Sequence, residues 1–312
     1  MDDREPATTP TLRTTLGALA ADDLGLVLPH EHLFVDFRAA DVPGFAQASP
    51  EEFSALAAPL LTAAAAAGVT ALVECTPPGL GRRADLIGDV SRATGVPVAL
   101  ATGVYREPWV PRWVYEADDA ALEDWMVREL VEGVDDSRVP AAFIKVSADE
   151  EELRPVEERV LRAAARASAR TGALVGTHTT GGAVLLRQLE IALAEGMSPD
   201  RFLSIHTQTI HDAGVRRAVL ERGAWIEFDD VGQGPDGTTL DLVLTTLEAG
   251  YGDQLLISHD AGWFDPALPG GGEPRPFTHL TESFLPALRG AGVDEGTVDR
   301  LCRRNPFRAF AR

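Results

Sequence analysis

Ala141-Ala142-Phe143-Ile144-Lys145-Val146-Ser147 is an apolar run with a single charge in it. Its length and its aromatic and β-branched content read as a strand buried on both faces, as in a parallel sheet. The charge is the only lysine of the 312-residue chain; the rest of its 28 Lys and Arg side chains are arginines. Burying an unpaired ammonium costs several kcal/mol. A primary amine that adds carbon dioxide, by contrast, becomes an anionic carbamate, which arginine cannot form. A lysine snorkelling from a strand end is the simpler alternative, so the neighbouring strands have to decide between the two.

Working outward, apolar strand-like runs recur at residues 26–34, 69–76, 96–103, 173–178, 202–206, 224–229 and 254–260. Helical segments lie between them. Ser49-Pro50-Glu51-Glu52 is a helix-start signature, with Ser49 as N-cap, Pro50 in the first turn and Glu52 reaching back. Further helices are expected near 82–93, 118–132, 155–171, 183–195, 213–222 and 240–249, most of them stopped by a glycine. Eight strands alternating with helices imply a parallel sheet. At this length they imply a closed (β/α)8 TIM barrel of one domain, residues 21–312, behind a loose Thr/Pro-rich leader, residues 1–20. An open doubly wound sheet is the structural rival, but no Gly-x-Gly-x-x-Gly follows the first strand.

Formal net charge is −20. A surface of that sign repels phosphates, which argues against nucleic acid and anionic membranes as partners. The two cysteines, Cys75 and Cys302, are far apart and form no disulfide or zinc-ribbon pattern. No signal-peptide pattern opens the chain and no run is long enough to span a bilayer. The expectation is a soluble cytoplasmic protein.

Active sites of such barrels lie at the C-terminal ends of the strands. Here those ends carry His30-Glu31-His32, Lys145, His178, His206 and Asp260. Residues two apart on a strand point the same way, so His30 and His32 face the axis and Glu31 faces away. Two imidazoles and a carboxylate can hold one divalent ion, and two further imidazoles a second. A carbamylated Lys145 offers two oxygens as the bridge between them. A single strand-end histidine is more often a hydrogen-bonded core residue; the whole set in this order is far more specific.

Through Pro29-His30-Glu31-His32-Leu33, Phe143-Ile144-Lys145-Val146, Gly176-Thr177-His178-Thr179, Ile205-His206 and Ser258-His259-Asp260, the chain resembles the phosphotriesterase family of the amidohydrolase superfamily. The likeness runs from about Leu16 to Phe310. It implies that His30, His32 and Asp260 bind the more buried metal, His178 and His206 the more exposed one, and N6-carboxylated Lys145 both. It implies zinc as the usual ion, and ester hydrolysis by a metal-bridging hydroxide whose proton Asp260 accepts. It alone suggests a homodimer.

Within that resemblance the residues favour a lactone or related carboxylic ester as the small-molecule substrate. Gly103-Val104-Tyr105 places a phenol where lactone-hydrolysing relatives use one on the substrate carbonyl. Thr209 and Asp230 stand where organophosphate-cleaving relatives carry an acid and a histidine. Trp263, Phe264 and Arg275 are further candidates for the pocket, and Glu74 and Asp229 for acceptors behind the histidines. His211, His259 and His279 have no evident partner. The rival readings are a phosphotriesterase or phosphodiesterase on the same metals, a one-metal deaminase-type barrel, and a non-catalytic binding protein.

Overall fold

The structure is a computed structural model that describes residues 9–312. Eight strands form the barrel. They are β1 (Leu26–Phe34), β2 (Val69–Glu74), β3 (Val98–Ala99 and Ala101–Thr102), β4 (Phe143–Ser147), β5 (Val175–His178), β6 (Phe202–Ile205), β7 (Trp225–Phe228) and β8 (Leu255–Ile257). Each pairs in parallel with the next from β1 to β8, β3 carrying the ladder across its break at Leu100, where Ala142 N donates to Leu100 O at 2.8 Å. Asp260 N donates to His30 O at 3.1 Å and His32 N to Ala261 O at 2.9 Å, which closes the ring between β8 and β1. The barrel expected from the βα alternation is the fold observed.

At the mouth of the barrel one further strand was not foreseen. Gly262–Phe264, β9, pairs in parallel with β1 through Gly262↔His32 and Phe264↔Phe34. Its apolar Phe264 stacks on Phe34 with centroids 5.5 Å apart, so this residue belongs to the core and not to the pocket wall. Helices follow the expected beat; Pro50–Ala66 opens on the capping box, with Glu52 N donating to Ser49 Oγ at 3.1 Å. The helix expected at 240–249 starts earlier, at Asp236, because Pro235 sits at its N-cap.

Two cores result. Helices pack on the outer barrel face. Inside, Val27, Ala71, Val73, Ala99, Phe143, Leu203 and Leu256 fill the lumen, with Leu12 and Phe310 at its lower end. The Phe143 and Phe310 rings meet edge to face at 5.1 Å. Within the segment read as a leader, Leu12–Thr14 and Gly17–Leu19 form a hairpin. Leu12 is buried, and Thr11 N donates to Arg312 O at 3.1 Å, so these residues sit under the barrel instead of trailing from it; residues 1–8 lie outside the described part. The floor is therefore sealed by apolar side chains, which leaves the other mouth for polar chemistry.

Candidate functional site

The alternation that puts Phe143 in the lumen puts Lys145 there as well, two residues nearer the open mouth. On β1 the simple alternation breaks. Val27 points inward, and a register shift between Leu28 and Glu31, at Pro29, resets the phase so that His30 and His32 point inward. Such an irregularity re-aims side chains in the way bulges do beside active sites. Gly103, at the end of β3, takes φ +108, and a Cβ there would lie 2.1 Å from Lys145 O, so only glycine lets β3 approach the lysine strand this closely.

His30, His32, Lys145, His178, His206 and Asp260 converge. Ring centroids of His178 and His206 are 4.4 Å apart, those of His30 and His206 5.2 Å, and those of His30 and His32 5.4 Å. Lys145 Nζ lies 3.4 Å from His30 Nε2. Asp260 Oδ1 lies 3.2 Å from His32 Nε2 and 3.7 Å from His30 Nε2.

Three of the imidazoles are anchored from behind through Nδ1. His30 Nδ1 is 2.9 Å from Glu227 Oε2 and 3.1 Å from Asp229 Oδ2; His32 Nδ1 is 2.6 Å from Thr76 Oγ1; His206 Nδ1 is 2.8 Å from Asp229 Oδ1. At His30 and His206 the ionised Asp229 carboxylate accepts from Nδ1, which turns the Nε2 lone pairs toward the cavity. Burial, and then the Lys145 amine, pull the His30 pKa down to about 3, so that ring is neutral at physiological pH. Burial also lowers His178, with His206 and Lys145 adding to it. Burial opposes ionisation of Asp229, but contacts with His206 and His30 outweigh it and hold the carboxyl well below its usual range. Asp260 is lowered for the same reason against the same burial, by His32 and His30.

The neutral His30 ring turns Nε2 toward the ionised Asp260 carboxylate, lone pair toward lone pair, which is unfavourable unless a cation lies between them. The carboxylate oxygen concerned, Asp260 Oδ1, is buried and has no hydrogen-bond partner among the described residues: the His32 contact is out of line for one. His30, His32 and Asp260 form one group able to hold a metal ion. The donor set therefore fits a divalent ion.

Tyr105 closes the His178 side, its hydroxyl 3.2 Å from each imidazole nitrogen. It shares a cavity of about 80 Å³ with Lys145, His206, Asp260, Phe37 and Trp263. Trp263 packs edge-on against His32 at 5.4 Å. Arg275 does not extend freely into the mouth; it donates to the Asp260 carbonyl and lies 5.8 Å over the Trp263 ring.

A model of the phosphotriesterase family matches residues 10–310 of the chain. The chain belongs to the phosphotriesterase family. A phosphotriesterase homology protein of Mycobacterium tuberculosis is 31% identical, over 97% of this chain and 98% of its own. A solved variant of an organophosphorus hydrolase from Deinococcus radiodurans superposes with TM-score 0.86 at 30% identity, covering 96% of this chain and 97% of that one. A variant of a phosphotriesterase-like lactonase from the same organism gives TM-score 0.84 at 29% identity, covering 96% and 100%. The chain is accordingly a phosphotriesterase-family hydrolase acting on ester bonds.

In this phosphotriesterase-family chain, three residues around the histidines escaped sequence reasoning. Thr76 stands where Glu74 was expected; Glu74 Oε1 is 3.8 Å from His32 Nδ1 and instead accepts from Thr76 N at 3.0 Å. Glu227 supports His30 beside the expected Asp229, and Gln208 Nε2 donates to Asp229 at 2.6 Å. A rule that strand positions two before a mouth residue face the same way would have found Glu227 from Asp229. Of the unassigned histidines, His259 Nδ1 is 2.6 Å from Glu31 Oε1 and His279 Nε2 is 2.7 Å from Asp236 Oδ2. Glu31 faces away from the lumen, as expected, yet it is fully buried.

Proposed function

We propose that the chain hydrolyses a lactone or related carboxylic ester at a binuclear metal centre. His30, His32 and Asp260 would hold one divalent ion, His178 and His206 the other, and N6-carboxylated Lys145 both, with zinc as the ion the resemblance implies. Bound there, the ions would acidify water and polarise the scissile carbonyl. Lys145 supports its part of this reading: it is buried, and its one polar partner among the described residues is the His30 ring, so no carboxylate neutralises it. A carbamate at Nζ would supply the two anionic oxygens that the four surrounding imidazoles lack. The Asp260 carboxylate, held ionised by its histidine neighbours, would take up the proton released as water adds to the substrate.

The observation that favours a carboxylic ester is Tyr105. Its pKa is pushed up to about 12 by burial, so it remains a hydrogen-bond donor at the cavity wall. From there it can reach the oxygen of a planar carbonyl. Phosphotriester cleavage is the second reading, supported by the similarity to the organophosphorus hydrolase. Asp230, at the position where a proton-relaying histidine would favour that reading, is held by Thr239 Oγ1 at 2.7 Å. A panel of lactones beside aryl dialkyl phosphotriesters, compared by kcat/KM, decides between them; a higher value for the triesters would overturn the lactone reading. Lys145→Ala is expected to lower kcat/KM at least about 100-fold and to reduce bound metal, with partial rescue by short carboxylates. Full activity without rescue would remove the carbamate from the scheme.

A further inference from the structure

We propose that Glu31 is a positioning residue that holds Asp260 against His30 and His32 from outside the barrel lumen. The inference rests on the reading of Asp260 as a metal ligand. Glu31 lies between the two β1 histidines but points the other way, beneath the segment that follows β8, and is fully buried there. Its carboxylate accepts hydrogen bonds from Ser258 Oγ at 2.8 Å, His259 N at 3.2 Å and Ala261 N at 2.8 Å, and its Oε1 meets His259 Nδ1 at 2.6 Å. These residues flank Asp260 on both sides. Among the described residues, no other single side chain of β1 bonds both flanks.

Asp260 needs such a hold. Its backbone sits at φ +51, a left-handed conformation that a non-glycine residue keeps only where its surroundings impose it. The grip extends in both directions from Glu31. Ser258 Oγ also accepts from His30 N at 3.1 Å, and His259 Nε2 accepts from Leu280 N at 2.8 Å, tying the segment to the C-terminal helices. One carboxylate thus reinforces, from the side-chain side, the backbone bonds Asp260 N to His30 O and His32 N to Ala261 O that join the β1 ligands to the β8 ligand where the barrel closes. Glutamine is not equivalent at this position, because its amide group would turn N–H donors toward the N–H donors that now bind it.

The test is a double-mutant cycle of Glu31→Gln and Asp260→Ala, read by zinc competition titration, the d–d spectrum of the cobalt-loaded protein, and kcat and KM on the best ester substrate. In the otherwise unchanged chain, Glu31→Gln is expected to weaken zinc binding and lower kcat about 10- to 100-fold with little change in KM, and to alter the cobalt spectrum. In the Asp260→Ala background the same substitution is expected to change zinc affinity less than about 2-fold, because its effect runs through Asp260. An undiminished loss in that background makes Glu31 merely structural and overturns the inference, as does a Glu31→Gln protein with unchanged zinc affinity. Asp260→Ala with unchanged zinc affinity and kcat overturns the metal-ligand reading itself. Should Glu31→Gln fail to fold, His259→Phe removes one contact of the set at similar volume and takes its place in the cycle, with the same outcomes deciding.

Discussion

His32 and Thr76 show how much of the site is made by groups that never face the cavity. The threonine hydroxyl, 2.6 Å from Nδ1, engages that ring nitrogen from behind and so leaves Nε2 to be offered as a ligand. Thr76→Val keeps the side chain's shape and deletes that partner. We expect zinc affinity or kcat to fall about 10- to 100-fold while the melting temperature stays close to that of the parent, measured by competition titration and calorimetry. An unchanged affinity would mean that the His32 tautomer is set elsewhere. Burial pushes the Glu227 carboxyl well above its usual range, whereas Asp229, two residues on, is held well below its own. The two shifts run in opposite directions because Asp229 gains contacts from two histidines that outweigh its burial.

At the scale of elements, the segment leaving β1 shapes the rim of the mouth. Asp36 holds it: the carboxylate accepts from Arg38 N and Nε, each at 2.9 Å, from Arg38 Nη2 at 2.7 Å and from Ala46 N at 2.8 Å. Burial opposes ionisation of Asp36, but these hydrogen bonds outweigh it, and its pKa falls below 3.8. A depressed folded-state pKa adds stability that is present above the unfolded value and is lost as pH drops through the folded one. The urea midpoint of the parent should therefore exceed that of Asp36→Asn by a constant amount from about pH 5 to 7, and the gap should narrow below about pH 4. A gap independent of pH would show that the loop does not depend on this charge. Phe37 follows directly; its carbonyl accepts from Trp109 Nε1 at 2.7 Å and its ring packs 5.5 Å from Trp263, so a loosened Asp36 would reach the cavity wall.

The whole molecule divides its labour between two ends. The lower end is closed by the hairpin over residues 12–19 and by Phe310, so the lumen is filled by apolar side chains up to Phe143, with Lys145 and the histidines above them. The His30 ring, held neutral by burial, lies at that height beside the ionised Asp229 and Asp260 carboxylates, an arrangement that bound cations would stabilise. Anything that binds the folded chain alone stabilises it by about 2.7 kcal/mol at a hundredfold excess over Kd. Chelation should lower the melting temperature by roughly 5 °C or more, and zinc with bicarbonate should restore it, as read by scanning calorimetry. No shift on chelation would argue against tightly held ions. No helix of the described residues is long and apolar enough to cross a membrane.

What the chain declares by itself follows from periodicity and residue chemistry. The βα beat, the Ser49 capping box, the glycine stops, the solitary Lys145 and the strand-end positions of His30, His32, His178, His206 and Asp260 are local patterns, and each was readable without a fold. The contacts that aim those side chains were not. Thr76 behind His32, Glu227 behind His30, Glu31 beneath Asp260 and the added strand at Gly262–Phe264 join segments up to 230 residues apart. The inward turn of His30 and His32 depends on a register shift between Leu28 and Glu31 in the pairing of β1 with β2. Sequence spacing fixes which residues share a strand face. Which face meets the lumen, and which polar group lies behind each ring, is settled only when the barrel closes and every buried donor must find an acceptor.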